Sequence, residues 1–174
     1  LLQQLKINDG DFIITSVVNM VPVKGIEILL KAIRQIKSHN VKVLIVGNDS
    51  SDYAQKLKAK FSDSNFLFLG KKIDVRPYIA LADLFVIPTK DEGRKEGMPI
   101  APLEAMAMGV PVIGSDISGI KDVLSAYPQL LFNASDVDVN KYPDDLLPDP
   151  NYRQPAYDFE FNQSPNGVIE YQSN

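Results

Sequence analysis

Cysteine and tryptophan are absent from these 174 residues, and histidine occurs once. Without thiols there is neither a disulfide framework nor a thiolate metal site, a composition that suits a reducing compartment. The single imidazole, His39, gives a histidine relay or a histidine-based metal cluster nothing else to use. It is read as the end of a helix, where the dipole favours its charged form. No apolar run approaches the roughly 18 residues of a membrane-spanning helix. With 18 basic against 22 acidic side chains the formal charge is -4, and no cluster of lysine and arginine forms a nucleic-acid footprint. The glycines compose neither G-x-G-x-x-G nor G-x-x-x-x-G-K-[ST], so the dinucleotide and P-loop fingerprints are missing.

What remains is an alternation of short apolar runs with amphipathic stretches. Strands are expected at 12–18, 41–46, 65–69, 84–87 and 110–113, with a sixth at 130–132. Between the first two, Ile26, Leu29, Leu30, Ile33 and Ile36 recur at helical spacing and Asn40 closes the helix. Asp52 is expected to cap a helix running to about Phe61, with Tyr53, Leu57 and Lys60 near one face. Asp74 offers a cap to another that runs through Leu81, with Val75, Tyr78, Ile79 and Ala82 inward. The good helix formers 103–108 are stopped by Gly109, and Pro102 fits the first turn because a proline there loses no helical hydrogen bond. A last short helix is expected over 118–126. Strands that are apolar throughout, each followed by a helix, predict one open parallel sheet covered on both faces, with right-handed crossovers.

In such a sheet, ligands bind in the loops that leave the carboxyl ends of the strands. Here those loops carry Lys24-Gly25, Gly47-Asn48-Asp49, Gly70-Lys71-Lys72 and the charged stretch 90–99. The first backbone N–H groups of the helices near Gly25 and Ala101 lack partners within their helices and favour an anion, so the edge describes a phosphate site. Lys24 is either a point charge at that site or a solvated loop lysine. Glu104 is either a charge on an exposed helix face or a carboxylate aimed at the crevice, where it could accept two hydroxyl hydrogen bonds from a vicinal diol. Glu92, Arg94 and Lys95 read as solvated loop charges.

Character changes beyond Phe132. Residues 134–150 hold five aspartates against one lysine, and five of the twelve prolines fall at or after Pro143, which argues against helix. Three segments are therefore expected: 1–12 a linker or entering segment, 13–132 the α/β domain, and 133–174 an acidic, proline-rich tail, wrapped on the domain through its aromatics or partly disordered.

The residues 82–89, ADLFVIPT, and 96–116, EGMPIAPLEAMAMGVPVIGSD, together with Val23-Lys24-Gly25, 43–47 and Phe68-Leu69-Gly70, resemble the C-terminal domain of retaining glycosyltransferases of the glycogen-synthase-like group, often called family 4. Glu96 and Glu104, with seven residues between them, match the acidic pair of that family. The resemblance implies a Rossmann-like domain forming one half of a GT-B fold, which binds a nucleotide-diphosphate sugar, UDP- or GDP-linked, without a metal or other cofactor. It implies that Glu104 holds the ribose hydroxyls, that Glu96 lies beside the donor sugar, and that Lys24 neutralises the diphosphate. The backbone of Gly97, Met98, Pro99 and Ile100 would face the sugar and phosphates, and Gly25, Gly47, Gly70 and Lys71 would line the site. The family usually has an arginine in the first-strand loop where this chain has Val18-Asn19-Met20, a loss of bidentate phosphate contacts. Such enzymes close two domains over the donor, so the resemblance implies a partner domain, N-terminal and acceptor-binding, which these residues do not include. Membrane association would come only through that part, on the cytoplasmic face, and these residues alone are expected to be inactive. The alternative is a non-catalytic nucleotide-sugar-binding or interaction module on the same fold.

Overall fold

The computed structural model describes residues 1–36, 40–92 and 97–134. Within them the chain runs α1 (Leu2–Leu5), β1 (Phe12–Val17), α2 (Ile26–Ile33), β2 (Val41–Val46), α3 (Asp52–Lys60), β3 (Phe66–Gly70), α4 (Arg76–Ala80), β4 (Leu84–Ile87), α5 (Ile100–Ala107), β5 (Val112–Ser115), α6 (Ile120–Val123) and β6 (Leu131–Phe132). Every strand pair is parallel, and the order across the sheet is β3-β2-β1-β4-β5-β6. The α/β open parallel sheet expected from the apolar runs is therefore the one observed.

Alternation along the strands separates two faces. On one, Ile14, Val43, Ile45 and Val86 pack against Ile26, Leu29, Leu30 and Ile33 of α2 and against Ala54 and Leu57 of α3. On the other, Phe85, Ile87 and Val112 pack against Ile79 of α4, Ala105 of α5 and Ile120 of α6. Burying one such side chain stabilises the fold by about 1.5–3 kcal/mol. The buried hydroxyl of Thr15 donates to the carbonyl of Tyr78 at 3.0 Å, tying the central strand to α4. Residues 1–12 contain the short helix α1, and Ile7 is buried with Ile13 and Leu44.

Several boundaries differ from the sequence expectation. Helix α2 ends at Ile33 rather than near Asn40: Gln35 and Ile36 donate to Ala32 and Ile33, bonds of three-residue span that tighten the last turn. Ser51, not Asp52, caps α3, its hydroxyl accepting from the Ala54 amide at 3.2 Å. Asp74 does not cap α4 from the flanking position, which Val75 occupies; its carboxylate accepts from the amide and guanidinium of Arg76. Strand β5 starts two residues later than expected. The Val110 amide closes α5 by bonding the Ala105 carbonyl, and Pro111 has no amide, so the ladder begins after it. Strand β3 is shifted by one residue and α6 is confined to one turn. Tail residues from Ser135 onward lie outside the described residues, as does His39.

Candidate functional site

The strand order reverses between β1 and β4: from β1 the chain winds outward to β3, then crosses back to β4 and winds the other way. A crevice opens at the carboxyl ends of two strands related in this manner. The segment leaving β1 turns through a short 3-10 helix, Pro22–Lys24, into Gly25, whose φ is 69°. A Cβ at Gly25 would stand 1.7 Å from the carbonyl oxygen of Pro88, just past β4. Beside that contact the Lys90 amide donates to the Val23 carbonyl at 2.7 Å. Two loops far apart in sequence thus share one wall.

The stitching continues toward β2 and β3. The Met20 amide donates to Asn48 at 3.0 Å, and the Ser51 hydroxyl donates to the Met20 carbonyl at 3.1 Å. A Cβ at Gly47 would fall 1.7 Å from the Val18 carbonyl oxygen, and the Gly47 amide donates to the Gly70 carbonyl at 3.0 Å. Asp49 carries an ion pair with Lys58 of α3. Four strand-end loops therefore form a single edge held chiefly by main-chain bonds.

Helix starts at this edge share a property. Both α2 and α5, each of eight residues, begin without a side-chain cap, at Gly25 and Pro99 respectively. By contrast α3 is capped by Ser51. An uncapped N-terminus keeps its first N–H groups and the positive end of its dipole available to an anion.

The described residues selected from the sequence lie on, or in the helix after, the segments that leave β1, β2, β3 and β4. Lys24 is half-buried at the end of the 3-10 turn and Gly25 is buried behind it. Gly47 and Gly70 end β2 and β3, and Lys71 is exposed just beyond. Gly97 is exposed, Pro99 is half-buried before α5, and Met98 and Ile100 are each 70% exposed at its start. Glu104 is half-buried four residues further on, about 6 Å along the helix axis. Glu96 lies outside the described residues, as do Arg94 and Lys95. Glu92 is exposed, 3.5 Å from the ammonium of Lys90. Lys72 sits over the Tyr78 ring at 5.6 Å. Among the described residues, no group of three His, Cys, Asp or Glu side chains could hold a metal ion.

Sequence reasoning named Pro88, Asn48 and Val23 only as members of longer stretches and did not foresee that their carbonyls build the wall. Main-chain acceptors carry no residue-type signal. It also treated Tyr53 as a packing residue. Its phenol oxygen is buried and, among the described residues, has no hydrogen-bond partner. Burial pushes the Tyr53 hydroxyl above its ordinary pKa, and the carboxylates of Glu27 and Glu92 add to the rise.

Comparison with known proteins then decides the family. Residues 11–141 match the family described as glycosyl transferases group 1. The chain belongs to that family. A GDP-mannose-dependent monoacylated alpha-(1-6)-phosphatidylinositol monomannoside mannosyltransferase of Corynebacterium glutamicum is 33% identical over 139 residues, 75% of this chain and 36% of its own. Among solved structures, the sucrose-phosphate synthase of Thermosynechococcus elongatus is 28% identical with a TM-score of 0.69, over 86% of this chain and 39% of that one. Anabaena Alr3699/HepE in complex with UDP-glucose aligns with a TM-score of 0.61 at 24% identity, over 70% and 34%, a likeness of fold alone. The fold is the Rossmann-like, donor-side half of a GT-B glycosyltransferase. This chain spans about a third of the length of the curated relatives it matches, and no helix among its described residues is long and apolar enough to cross a membrane.

Proposed function

We propose that this chain is the donor-binding half of a retaining glycosyltransferase that transfers a sugar from a nucleotide-diphosphate sugar to a saccharide, lipid-linked or other acceptor. The observation that carries the reading is the edge at the β1–β4 reversal. There Gly25 is pressed against the Pro88 carbonyl, and the loops that leave β1 and β4 each lead to an uncapped helix start, with Lys24 in the first of them. Lys24 and the N-termini of α2 and α5 receive the diphosphate. Glu104 accepts the ribose hydroxyls, Glu96 lies beside the sugar, and the backbone of 97–100 faces sugar and phosphates, with Gly47, Gly70 and Lys71 lining the nucleotide side. As the glycosidic bond breaks, negative charge builds on the leaving diphosphate. The fixed positive groups stabilise that charge in a site closed by a second, acceptor-binding domain. No side-chain nucleophile is required. Family membership supports the reaction class, and the UDP-glucose held by the Anabaena protein and the GDP-mannose of the corynebacterial enzyme's name support a nucleotide-sugar donor.

One observation favours a second reading, a binding module without transferase activity. Asn19, exposed at the end of β1, puts an uncharged side chain at the phosphate edge. Calorimetric titration of the chain with UDP, GDP, ADP and their sugar conjugates tests donor binding. Selective, saturable binding that Glu104→Gln weakens by about 10- to 150-fold is expected, the equivalent of about 1.5–3 kcal/mol for a charged hydrogen bond. Unchanged affinity removes Glu104 from the site. Transfer by a protein that joins this half to an acceptor domain separates the two readings.

A further inference from the structure

Helix α5 has no polar side to turn toward solvent. Its residues IAPLEAMA include one polar side chain, Glu104. By contrast α2 exposes Lys31, α3 exposes Gln55 and Lys56, and α6 exposes Lys121 and Asp122. A helix that is apolar all round fits a setting in which both of its sides are buried. Pro102 and Ala105 are buried on the inner side. On the outer side Ile100, Leu103 and Ala107 recur at the spacing of one helix face. Ile100 is 70% exposed, Leu103 and the flanking Met106 are each 38% exposed, and Ala107 is exposed as well. The outer side therefore requires a cover.

The tail starts beside it. Strand β6 is parallel to β5, so the chain leaves it at the carboxyl edge of the sheet, the edge at which α5 begins. Ala134, where the described residues end, is buried in the cluster that holds Ala105 of α5. Residues 135–174 thus set out from the same edge and the same side of the sheet as α5. Within them Tyr157, Phe159 and Phe161 alternate with Asp158 and Glu160. That alternation suits an extended segment with three rings on one side and two carboxylates on the other. From the first ring to the last is about 13 Å of extended chain, and from Ile100 to Ala107 is about 10 Å of helix. Tyr157 is 23 residues beyond Ala134 (157 minus 134), and at about 3.3 Å per extended residue the intervening chain reaches any part of α5.

We propose that segment 157–161 of this chain docks on the outer face of α5, its Tyr157, Phe159 and Phe161 rings covering Ile100, Leu103 and Ala107. Asp158 and Glu160 then face solvent. Covalent attachment holds the segment near α5 at an effective concentration of about millimolar order, so a weak contact suffices and a separate partner has to displace it. The docking does not depend on the donor-binding reading. Its consequence is that the helix carrying Glu104 is held from both sides, by the sheet and by the tail.

The chain has no cysteine, so introduced thiols report only on each other. Ala107→Cys with Asn162→Cys puts one thiol on the exposed face of α5 and one beside Phe161, and leaves all three rings in place. The control pair is Lys31→Cys with Asn162→Cys, since Lys31 is exposed on α2, which packs on the opposite face of the sheet. The full chain is oxidised with copper phenanthroline at low protein concentration, and the products are followed by non-reducing electrophoresis and intact mass. An intrachain disulfide is expected to form about tenfold faster or more in the Ala107 pair than in the control, the mark of a raised local concentration. Adding Phe159→Ser and Phe161→Ser should bring the Ala107 pair down to the control rate. Equal rates for the two pairs, or an Ala107 pair that ignores the loss of both rings, would overturn the proposal. Cross-links formed chiefly between chains would assign the face to a second copy and overturn it equally.

Discussion

Replacing Gly25 with alanine should damage this protein severely. The backbone there has φ 69°, a region that costs a residue with a Cβ about 1–2 kcal/mol. The added atom would also stand 1.7 Å from the Pro88 carbonyl oxygen. Relief to the 3.4 Å of ordinary contact requires the two loops to part by about 1.7 Å. Such a displacement breaks the 2.7 Å bond from the Lys90 amide to Val23, worth about 1 kcal/mol net, and strains the packing by about 1–3 kcal/mol more. A loss of roughly 3–6 kcal/mol follows, which at an m-value of about 2 kcal/mol/M lowers the urea midpoint by about 1.5–3 M. Gly10→Ala supplies the control: φ there is 92°, with nothing within 4 Å of the added atom. It should lose the backbone share alone, about 1–2 kcal/mol. Equal losses for the two variants, measured by fluorescence- or circular-dichroism-detected unfolding, would refute the claim that the β1 and β4 loops are locked by close approach.

Ser51→Ala should cost about 1 kcal/mol through the lost cap of α3, with a further loss from the severed bond to the Met20 carbonyl. Ser51→Asp restores the cap but has no proton to donate to Met20, so in urea unfolding it should recover part of the loss; full recovery would deny the Met20 tie any weight. Lys60 first, and then Lys31, hold the Glu27 carboxyl below its ordinary pKa. The stability this contributes is present above the ordinary glutamate range and fades as pH falls through the lowered folded-state value. Glu27→Gln should therefore differ from the parent at pH 7 and converge with it below about pH 4. The difference should stay under about 1 kcal/mol because both lysines are half-exposed. A gap that is constant from pH 7 to 3 in thermal unfolding would show that the pairs contribute nothing.

Much of the edge was legible because its glycines and lysines follow directly on apolar runs, and a loop that leaves a strand has few places to go. Gly25, Gly47 and Gly70 needed no tertiary information to be singled out. Ser51 was harder, since Ser50, Ser51 and Asp52 are all good caps and a shift of one residue changes which is used. Val110 misled for a related reason: its apolar side chain fits a strand, yet its amide serves the end of α5. Tyr53 was read as one of a helix face because packing and an unmet hydroxyl look alike in a sequence.

The sequence by itself determined the alternation of strand and helix and the burial of the α2 stripe. Those depend on neighbours within a few residues, through hydrophobic period, caps and turn chemistry. Tertiary structure alone decided that β1 lies beside β4, that Gly25 presses on Pro88 across 63 positions (88 minus 25), and that Lys90 bonds Val23. These are contacts between backbone groups common to every residue. A carbonyl oxygen leaves no mark in the sequence of the chain that must approach it, so the crevice's wall appears only once the strands are ordered.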